Sequence, residues 1–560
     1  MPAVAWLFAA AVAAVLTVAF TAPYGILNQA TYLVDPLHRA LPELFRRDWL
    51  VSEAPPYLPA FGWLAQWLYA IDPEGPVAML AANAAVTFAT YLALYWLIAA
   101  VCPGARGFAI VAAFVTVTMG RALGGSYLLA GYFQPSSLAT LGWIAAIAAL
   151  IRGRYRTCGL ALAAAGAVHV NYLLLGIGLF TLGAVAGRRA RLRDLAWLLA
   201  PQLAVLAWFV PALLASGRSS DHALWVLVHF HAPGHYLGRR QISWLPGLLG
   251  WQLAAFAALP PAIAFRRAAS AARDAGAASP AAREPGAGSV VSAVRALWWF
   301  SLVSCAVAVA AAFVVHVPAF ESLTRMFWPR IAPFGQLACQ VLVAAALVRQ
   351  ASAPVRSIAR RAWIIAAFAI ALVLDARLLH TAPLAAGLEI AAVAAVFAVP
   401  LRFAGRACAA LAACAVGAAL WVSPRGAGMT TVPAAGPSEL ALERWVRAAT
   451  PIDALFVAPP SLSLFRLIAR RAIIADTKSP PLQPDLMEAW YRRLCAMVER
   501  GDVASHEEIE RLWWQLAPDQ LVRVARAFHA DYIVVAATGH LPGAPVYANA
   551  EYAVYAVPPQ

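Results

Sequence analysis

Four carboxylates, Asp35, Glu43, Asp48 and Glu53, fall in one loop that follows an apolar stretch ending near residue 22. A carboxylate at a membrane surface can accept a proton from an acceptor hydroxyl, or orient that hydroxyl, while the hydroxyl oxygen attacks an electrophilic sugar carbon. The alternative for each acid is an ordinary solvated loop side chain. The loop is therefore a candidate catalytic region in which one acid is the general base.

A second polar segment, residues 219–241, combines imidazole and guanidinium groups. Its polar residues are His222, His229, His231, His235, Tyr236, Arg239 and Arg240. The planar guanidinium binds phosphate through two parallel hydrogen bonds, so this segment is a candidate phosphate site. His229, His231 and His235 could instead bind a metal ion, and a third interpretation is an amphipathic loop at the lipid headgroups.

Arg325 and Arg330 lie in a third polar segment, near residues 320–334. An arginine there either extends toward lipid phosphate or holds a substrate phosphate. His169 and Gln134 occur in or beside apolar segments, where polar groups are costly and normally face the bundle interior. We expect a satisfied hydrogen bond between helices for each of them.

The composition decides which elements can position these residues. The chain has 560 residues, of which 62% are hydrophobic and only 12% charged, and its mean hydropathy is +0.70. Soluble proteins have about 25% charged residues, so this chain has too little polar surface for a water-soluble fold. The composition predicts a polytopic membrane protein. Its seven cysteines form no CxxC pair, which favours neither a zinc site nor a disulfide framework.

The net charge of +15 is confined to the apolar part of the chain. Residues 1–423 hold 29 basic and 13 acidic residues, whereas residues 424–560 hold 13 and 14. Arginines that border apolar spans are topology signals. The distribution therefore argues against a nucleic-acid partner.

About thirteen segments are apolar enough to be spans of roughly 20 residues. They lie near 4–22, 77–101, 107–121, 136–151, 157–170, 171–187, 195–215, 244–265, 297–317, 335–348, 362–376, 384–400 and 406–422. Pro59–Ile71 is also apolar but too short, so we predict an interfacial or re-entrant segment. With a cytoplasmic N-terminus, the inner loops carry 19 basic residues and the longer outer loops carry 10. This bias predicts that loop 23–76 and the C-terminus are on the outer side.

Residues 424–560 alternate strand-like and helical segments. Short apolar runs at 453–460, 471–476 and 531–537 read as strands, and 546–557 as a closing hairpin. Helical spacing covers Pro484–Arg500, Ser505–Leu516 and Pro518–Phe528. The sequence therefore predicts an all-α membrane bundle over residues 1–423 and a small extracytoplasmic α/β domain over residues 424–560.

The first outer loop contains, in order, Asn28-Gln29, Tyr32, Asp48-Trp49 and Glu53-Ala54-Pro55-Pro56. This order, with the predicted topology, resembles the GT-C superfamily of membrane glycosyltransferases, and most closely its aminoarabinose-transferase and protein-mannosyltransferase group. There the loop begins with Asp-Glu, followed by Tyr, Asp-Trp, and Glu-Lys-Pro-Pro or His-Pro-Pro. The spacing to Glu53 is shorter here.

The acid with which the family loop begins falls on Asn28, and an amide cannot act as a base. Asp48 matches the motif residue for residue and is the favoured base. Asp35 is the alternative, because Asn28, Tyr32 and Asp35 share a face on an ideal helix. Asn28, Gln29 and Tyr32 are then expected to bind substrate.

The resemblance implies inverting transfer of a sugar from a polyprenyl-phosphate carrier to a periplasmic or cell-surface glycan, lipid or protein, in the bacterial inner membrane. It implies that Arg239, Arg240 and Arg325 hold the carrier phosphate and that His235 and Tyr236 line the site, with Arg330 nearby. No nucleotide is required, and a divalent metal is compatible with the resemblance. Two other hypotheses are a transporter or flippase-like protein and a non-catalytic assembly factor on the same scaffold.

Overall fold

The structure is a computed structural model. It describes residues 2–54, 58–118, 121–187, 190–215, 220–236, 243–258, 287–314, 324, 326–352, 433, 435–481 and 483–558.

The first of its two parts is helical. Its helices are α1 Pro2–Phe20, α2 Gln29–Tyr32, α3 Val34–Ala40, α4 Trp49–Glu53, α5 Pro59–Ile71, α6 Pro76–Ala99, α7 Ala105–Thr118, α8 Pro135–Ile151, α9 Tyr155–Val168, α10 Val170–Ala186, α11 Leu192–Ala215, α12 Asp221–Trp225, α13 Pro233–Tyr236, α14 Leu245–Ala258, α15 Ala287–Val314 and α16 Ala332–Ser352. A π-helix, Val226–His231, joins α12 to α13, and single 3-10 turns occur at Leu123–Gly125 and Trp328–Ile331.

Apolar length explains the bundle. Within the described residues, four helices are long and apolar enough to cross a membrane: Pro76–Ala99, Leu192–Leu214, Val290–Val314 and Trp328–Arg349. Shorter apolar helices occupy Ala5–Val18, Pro135–Ile151, Val170–Ala186 and Leu245–Ala258. Each of the first ten predicted spans coincides with a helix, and the spans predicted at 362–376, 384–400 and 406–422 lie outside the described residues. The predicted helical membrane bundle is thus confirmed where it is described.

Small residues and aromatic rings hold the bundle together. A Cβ on Gly159 would lie 2.5 Å from the carbonyl oxygen of Trp197, so α9 and α11 touch backbone to backbone. Trp143 is buried in the centre with its ring 4.6 Å from that of Phe334. Close packing at small residues, and not hydrophobicity alone, orders helices in lipid.

Helix α5 is the segment predicted to be interfacial. Phe61 and Leu68 are buried on one face, while Trp63, Trp67 and Ile71 are 57%, 60% and 60% exposed on the other. One apolar exposed face with tryptophans is typical of a helix lying in a membrane interface.

The second part is the C-terminal α/β domain. Its helices are α17 Pro437–Ala449, α18 Phe465–Ile468, α19 Pro484–Met497, α20 His506–Trp513 and α21 Pro518–Ala527, and its strands are β1 Leu455–Val457, β2 Ala472–Ile473, β3 Tyr532–Ala536, β4 Tyr547–Ala548 and β5 Tyr552–Ala556. The sheet order is β2-β1-β3-β5-β4. Strand β1 is parallel to β2 and β3, whereas β5 is antiparallel to β3 and β4. The predicted strands and helices are present, and the predicted boundary at 424 lies outside the described residues.

The domain rests on the first outer loop. Gly25, with φ +75°, lies against Leu464 and Ile468, where an added Cβ would be 3.7 and 3.8 Å from their side chains. Arg447 donates two hydrogen bonds of 2.6 Å to Glu74. Loop and domain therefore share one interface, and the candidate site lies beside it.

Glu443 makes the stability of this domain depend on pH. Its side chain is fully buried on α17, and both carboxylate oxygens lack a hydrogen-bond partner in the described part of the chain. Burial, and then the charge of Glu439, raise the pKa of Glu443 well above its usual value of 4.5. The carboxyl is neutral in the folded state and ionised in the unfolded chain above pH 4.5, so stability is lost as pH rises toward the folded-state pKa.

We expect Glu443→Gln to remove that loss. The difference in melting temperature between the variant and the wild-type protein should grow in favour of the variant as pH rises from 4.5 to 8, because each pH unit over which only the unfolded state ionises costs about 1.4 kcal/mol. Melting curves of the full chain in detergent measure this. Asp519→Asn, at an exposed surface pair, is the control. A difference independent of pH would contradict the assignment.

Candidate functional site

Arg330 lies where the bundle meets the outer loop. It belongs to the 3-10 turn Trp328–Ile331, and its guanidinium donates a hydrogen bond to Nε2 of His169. The guanidinium also lies 5.0 Å from the ring centroid of Phe327 and 5.7 Å from that of Tyr172. His169 was predicted to form a hydrogen bond to another helix. Its partner in the structure is the guanidinium of Arg330.

The turn that carries Arg330 is strained and closely packed. Phe327 has φ +51°, an unusual value for a bulky residue. Gly124, with φ +71°, lies so close to Pro329 that an added Cβ would be 2.6 Å away. Strained backbone of this kind persists where the surrounding structure fixes it, often at functional sites.

Tyr32 connects Arg330 to the outer loop. Its hydroxyl is a hydrogen-bond partner of Arg330, and burial raises the pKa of Tyr32, so the phenol is neutral at pH 7. Asn28, one turn earlier, donates to Gln134 Oε1 over 3.3 Å, and Gln134 donates to the hydroxyl of Tyr127 over 3.4 Å. The outer loop thus joins the bundle here through neutral polar groups.

A cleft of about 90 Å³ opens beside Tyr32. One wall comes from the outer loop and α5, the other from the C-terminal domain; the lining residues are Thr31, Tyr32, Val34, Asp35, Pro36, Leu50, Val51, Ala54, Leu58, Phe61, Gly62, Ser479, Pro480, Pro481 and Gln483. Asp35 is the carboxylate among them. Arg39 donates two hydrogen bonds of 2.6 and 3.1 Å to Asp35, and the Asp35 side chain remains 36% exposed.

Asp48 is placed differently from what the sequence led us to expect. It is fully buried, and Oδ2 accepts hydrogen bonds from Arg466 Nε at 2.6 Å and from the backbone N–H of Ile473 at 3.2 Å. Its other oxygen caps α4 by accepting from the N–H of Leu50. Asp48 therefore has no exposed surface and both of its oxygens are occupied, which favours Asp35, the alternative predicted base, as the acid open to the cleft.

Arg466 completes a buried charge triad. It also donates to Asp476, and both partners are fully buried while Arg466 is 1% exposed. Asp48 and Arg466 are 418 residues apart in the chain. The triad therefore fastens the first outer loop to the C-terminal domain.

Two other predicted residues are placed outside the cleft lining. Glu53 is exposed at the end of α4, and its charge acts on Arg493. Gln29 is buried, accepts from the N–H groups of Gly25 and Ile26, and donates to the carbonyl of Phe133. Gln29 therefore shapes the loop through these three contacts.

The histidine segment divides into two faces. His229 is exposed and stacks on Trp225, whereas His231 packs against Trp490 of the C-terminal domain. His235 Nδ1 donates to the carbonyl of Gly124 over 2.7 Å. Within the described part of the chain, no three histidine, cysteine or acidic residues form a cluster that could hold a metal ion. The metal hypothesis for His229, His231 and His235 therefore gains no support.

Tyr236 is buried against Phe327, with ring centroids 5.6 Å apart. Arg239, Arg240 and Arg325 lie outside the described residues. Of the arginines predicted to hold phosphate, Arg330 is thus the one placed beside Tyr32 and the cleft.

Sequence reasoning missed Lys478. It is the only lysine in the chain, beside 41 arginines. From the sequence alone, this scarcity of lysine is explained by genome composition. The structure places Lys478 in the segment that lines the cleft, where its carbonyl accepts a 2.7 Å hydrogen bond from Thr31 Oγ1. Its uniqueness was the available signal.

One known protein family matches part of the C-terminal domain. A domain of unknown function (DUF6798) matches residues 437–497, which include Arg466, Asp476 and Lys478. No characterised protein sequence matches the chain.

Three solved structures are similar along most of the chain. ArnT from Cupriavidus metallidurans bound to undecaprenyl phosphate has 15% identity and a TM-score of 0.43 over 99% of both chains. The same protein in the apo state has 13% identity and a TM-score of 0.45 over 100% of both chains. An oligosaccharyltransferase from Archaeoglobus fulgidus, tethered with an acceptor peptide, has 11% identity and a TM-score of 0.41 over 95% of this chain and 69% of the other.

Proposed function

We propose that this chain is a membrane glycosyltransferase that moves a sugar from a polyprenyl-phosphate carrier to an acceptor on the outer side of the bilayer. The observation that carries the proposal is the juxtaposition, through Tyr32, of the Arg330 guanidinium with a cleft that contains Asp35. The Arg330 guanidinium can neutralise a leaving phosphate, and the Asp35 carboxylate can take a proton from an attacking hydroxyl.

In the proposed reaction an acceptor oxygen attacks the anomeric carbon of the sugar. The bond from that carbon to the carrier phosphate breaks, its electron pair remains on the phosphate oxygen, and the hydroxyl proton passes to Asp35. A single displacement of this kind inverts the anomeric configuration. Arg330 offsets the charge that develops on the phosphate, since preorganised donors stabilise developing charge most effectively where water is excluded.

Arg39 orients the proposed base. Its two hydrogen bonds to Asp35 fix the carboxylate on α3, while the 36% exposure of the Asp35 side chain leaves it accessible from the cleft. The apolar walls formed by Leu50, Leu58 and Phe61 suit an isoprenoid segment next to the sugar.

The acceptor would enter from outside the membrane. The C-terminal domain supplies the second wall of the cleft through Ser479, Pro480 and Pro481. It would therefore cap the site and take part in acceptor selection, in a bacterial inner membrane with that domain in the periplasm.

Asp35→Asn tests the proposal. We expect transfer to slow by about 10²-fold, because the amide keeps the side-chain shape but cannot accept the proton. The measurement is the mass-spectrometric profile of envelope glycans in a deletion strain complemented with each variant, supported by the affinity of the purified protein for undecaprenyl phosphate. That affinity should stay within about twofold of wild type, because the proposed base does not hold the carrier.

The matched control is Asp519→Asn, which removes an exposed carboxylate of the C-terminal domain. It should leave the glycan profile unchanged. If Asp35→Asn is normally expressed and also leaves the profile unchanged, the enzymatic proposal fails.

A further inference from the structure

Lys478 is held at the join between the C-terminal domain and the outer loop. Its backbone N–H donates to Asp476 Oδ1 at 2.7 Å, its carbonyl accepts from Thr31, and the neighbouring Ser479 hydroxyl donates to the carbonyl of Ala30 at 3.2 Å. The backbone is thus fixed from both sides, and the ammonium is carried on a rigid segment.

The Lys478 ammonium is partly buried without a counterion of its own. No ion pair among the described residues includes it. Asp476, the acid whose charge acts on it, is already bound by Arg466. Burial lowers the pKa of Lys478. A partly desolvated cation in this situation gains free energy when an anion arrives.

Two half-buried imidazoles, those of His231 and His506, lie side by side. The ring centroids of His231 and His506 are 5.8 Å apart, and both rings pack edge-on against Trp490, at 5.7 and 6.2 Å. Nδ1 of His231 and Nε2 of His506 are buried and have no hydrogen-bond partner in the described part of the chain. Buried polar atoms are normally paired, so these two point to a missing partner.

Trp490 also places these imidazoles near Lys478, because its Nε1 donates a 2.7 Å hydrogen bond to the carbonyl of Asp476, two residues before Lys478. Burial is the main cause that lowers the pKa of His231 to about 3 and that of His506 to about 4, and the charge of Lys478 contributes to both. Both rings are therefore neutral at pH 7, and each offers one N–H donor.

His235 joins this cluster to Arg330. Burial is again the main cause of its lowered pKa, and the charges of Arg330 and Lys478 both contribute. Both cations therefore lie close enough to His235 for their charges to act on it. Ser479, the residue after Lys478, lines the cleft.

We propose that Lys478, His231 and His506 form an oxyanion-binding subsite, contributed mainly by the C-terminal domain, next to the Arg330 site. Its ligand is a phosphate or carboxylate group: the lysine supplies charge, and the imidazole N–H groups supply directed hydrogen bonds. The source of that group rests on the proposed function, under which it is either the carrier phosphate or an anionic group on the acceptor.

The single lysine gives the subsite a selective probe. Reductive methylation of the purified full-length protein with ¹³C-formaldehyde labels Lys478 and the terminal α-amine, and methylation keeps the positive charge. Lys478→Arg removes one of the two signals and so assigns the other. We expect inorganic phosphate to shift the Lys478 signal saturably, whereas sodium chloride at equal ionic strength does not.

Two further arms identify the source of the oxyanion. If undecaprenyl phosphate in detergent also saturates the shift and Arg330→Met abolishes that response, the subsite binds the carrier phosphate. If inorganic phosphate shifts the signal and undecaprenyl phosphate does not, the subsite receives an anionic group of the acceptor. In either case His506→Phe, which keeps a ring but has no N–H donor, should weaken phosphate binding about tenfold, the loss expected for one hydrogen bond to a charged group.

A Lys478 signal that moves no more with phosphate than with chloride overturns the inference, whatever Asp35→Asn shows. A phosphate-dependent shift in a protein whose glycan profile does not respond to Asp35→Asn would retain the subsite and reject the transferase. The two failures are therefore distinguishable.

Discussion

Replacing Arg466 by methionine is expected to destabilise the protein by about 3–5 kcal/mol, the usual cost of removing one partner from a buried ion pair. The substitution leaves Asp48 and Asp476, both fully buried, without their shared cation. Because Asp48 belongs to the outer loop and Arg466 to the C-terminal domain, the loss falls on the interface between them. Melting of the full chain in detergent measures it, and hydrogen exchange in residues 437–497 locates it.

A combined variant separates charge from packing. Asp48→Asn with Asp476→Asn in the Arg466→Met background removes both stranded charges, and we expect it to regain a substantial part of the lost stability. Arg523→Met, at an exposed surface pair, is the matched arginine control and should not change melting. Wild-type melting of Arg466→Met would show that the triad does not fasten the domain.

Replacing Arg330 by methionine is expected to weaken binding of undecaprenyl phosphate by about 10²–10³-fold, the loss typical for a donor that stabilises charge in a dry site. Arg330→Lys keeps the charge but loses the planar fork, so we expect an intermediate loss of about tenfold. Calorimetric titration of the purified protein with undecaprenyl phosphate gives the affinities, and a melting curve for each variant verifies that the fold survives the loss of the His169 contact.

Arg152, which follows the last residue of α8, provides a matched arginine control. Its guanidinium also lies over an aromatic ring, 4.8 Å from the centroid of Trp96. Arg152→Met should leave carrier affinity unchanged. Equal losses in the two arginine variants would mean that carrier binding follows general stability, and the assignment of Arg330 to the phosphate would then be wrong.

The helical part was predictable because apolar length is a local property. The span predicted at 136–151 is the helix Pro135–Ile151, and that at 171–187 is Val170–Ala186. In the C-terminal domain, the helix predicted over Ser505–Leu516 is present, and the Ser505 hydroxyl caps it by accepting from the N–H of Glu508 at 3.2 Å. These features depend on residues within a few positions of one another, so periodicity and capping rules suffice.

The site was predicted less well, because its members come from distant parts of the chain. Tyr32 and Arg330 were each singled out, but nothing in the sequence placed one against the other. The order of the motif residues favoured Asp48 as the base. A motif contains no information on burial, so the sequence could not indicate that Asp48 is fully buried. Local spacing likewise grouped His231 with His229, although only His231 turns toward the C-terminal domain.

The amino-acid sequence by itself determined that this protein is an apolar helical bundle followed by a small α/β domain, because hydrophobic runs and short-range periodicity fix those elements wherever the chain folds. Only the tertiary structure decided which charges remain available for chemistry. Arg466 reaches Asp48 across 418 residues and holds it in a buried ion pair, while Asp35 stays accessible in the cleft and Lys478 comes next to the cleft residue Ser479 from the far end of the chain. Burial and long-range pairing set these outcomes, and both are properties of packing between segments that no local pattern contains.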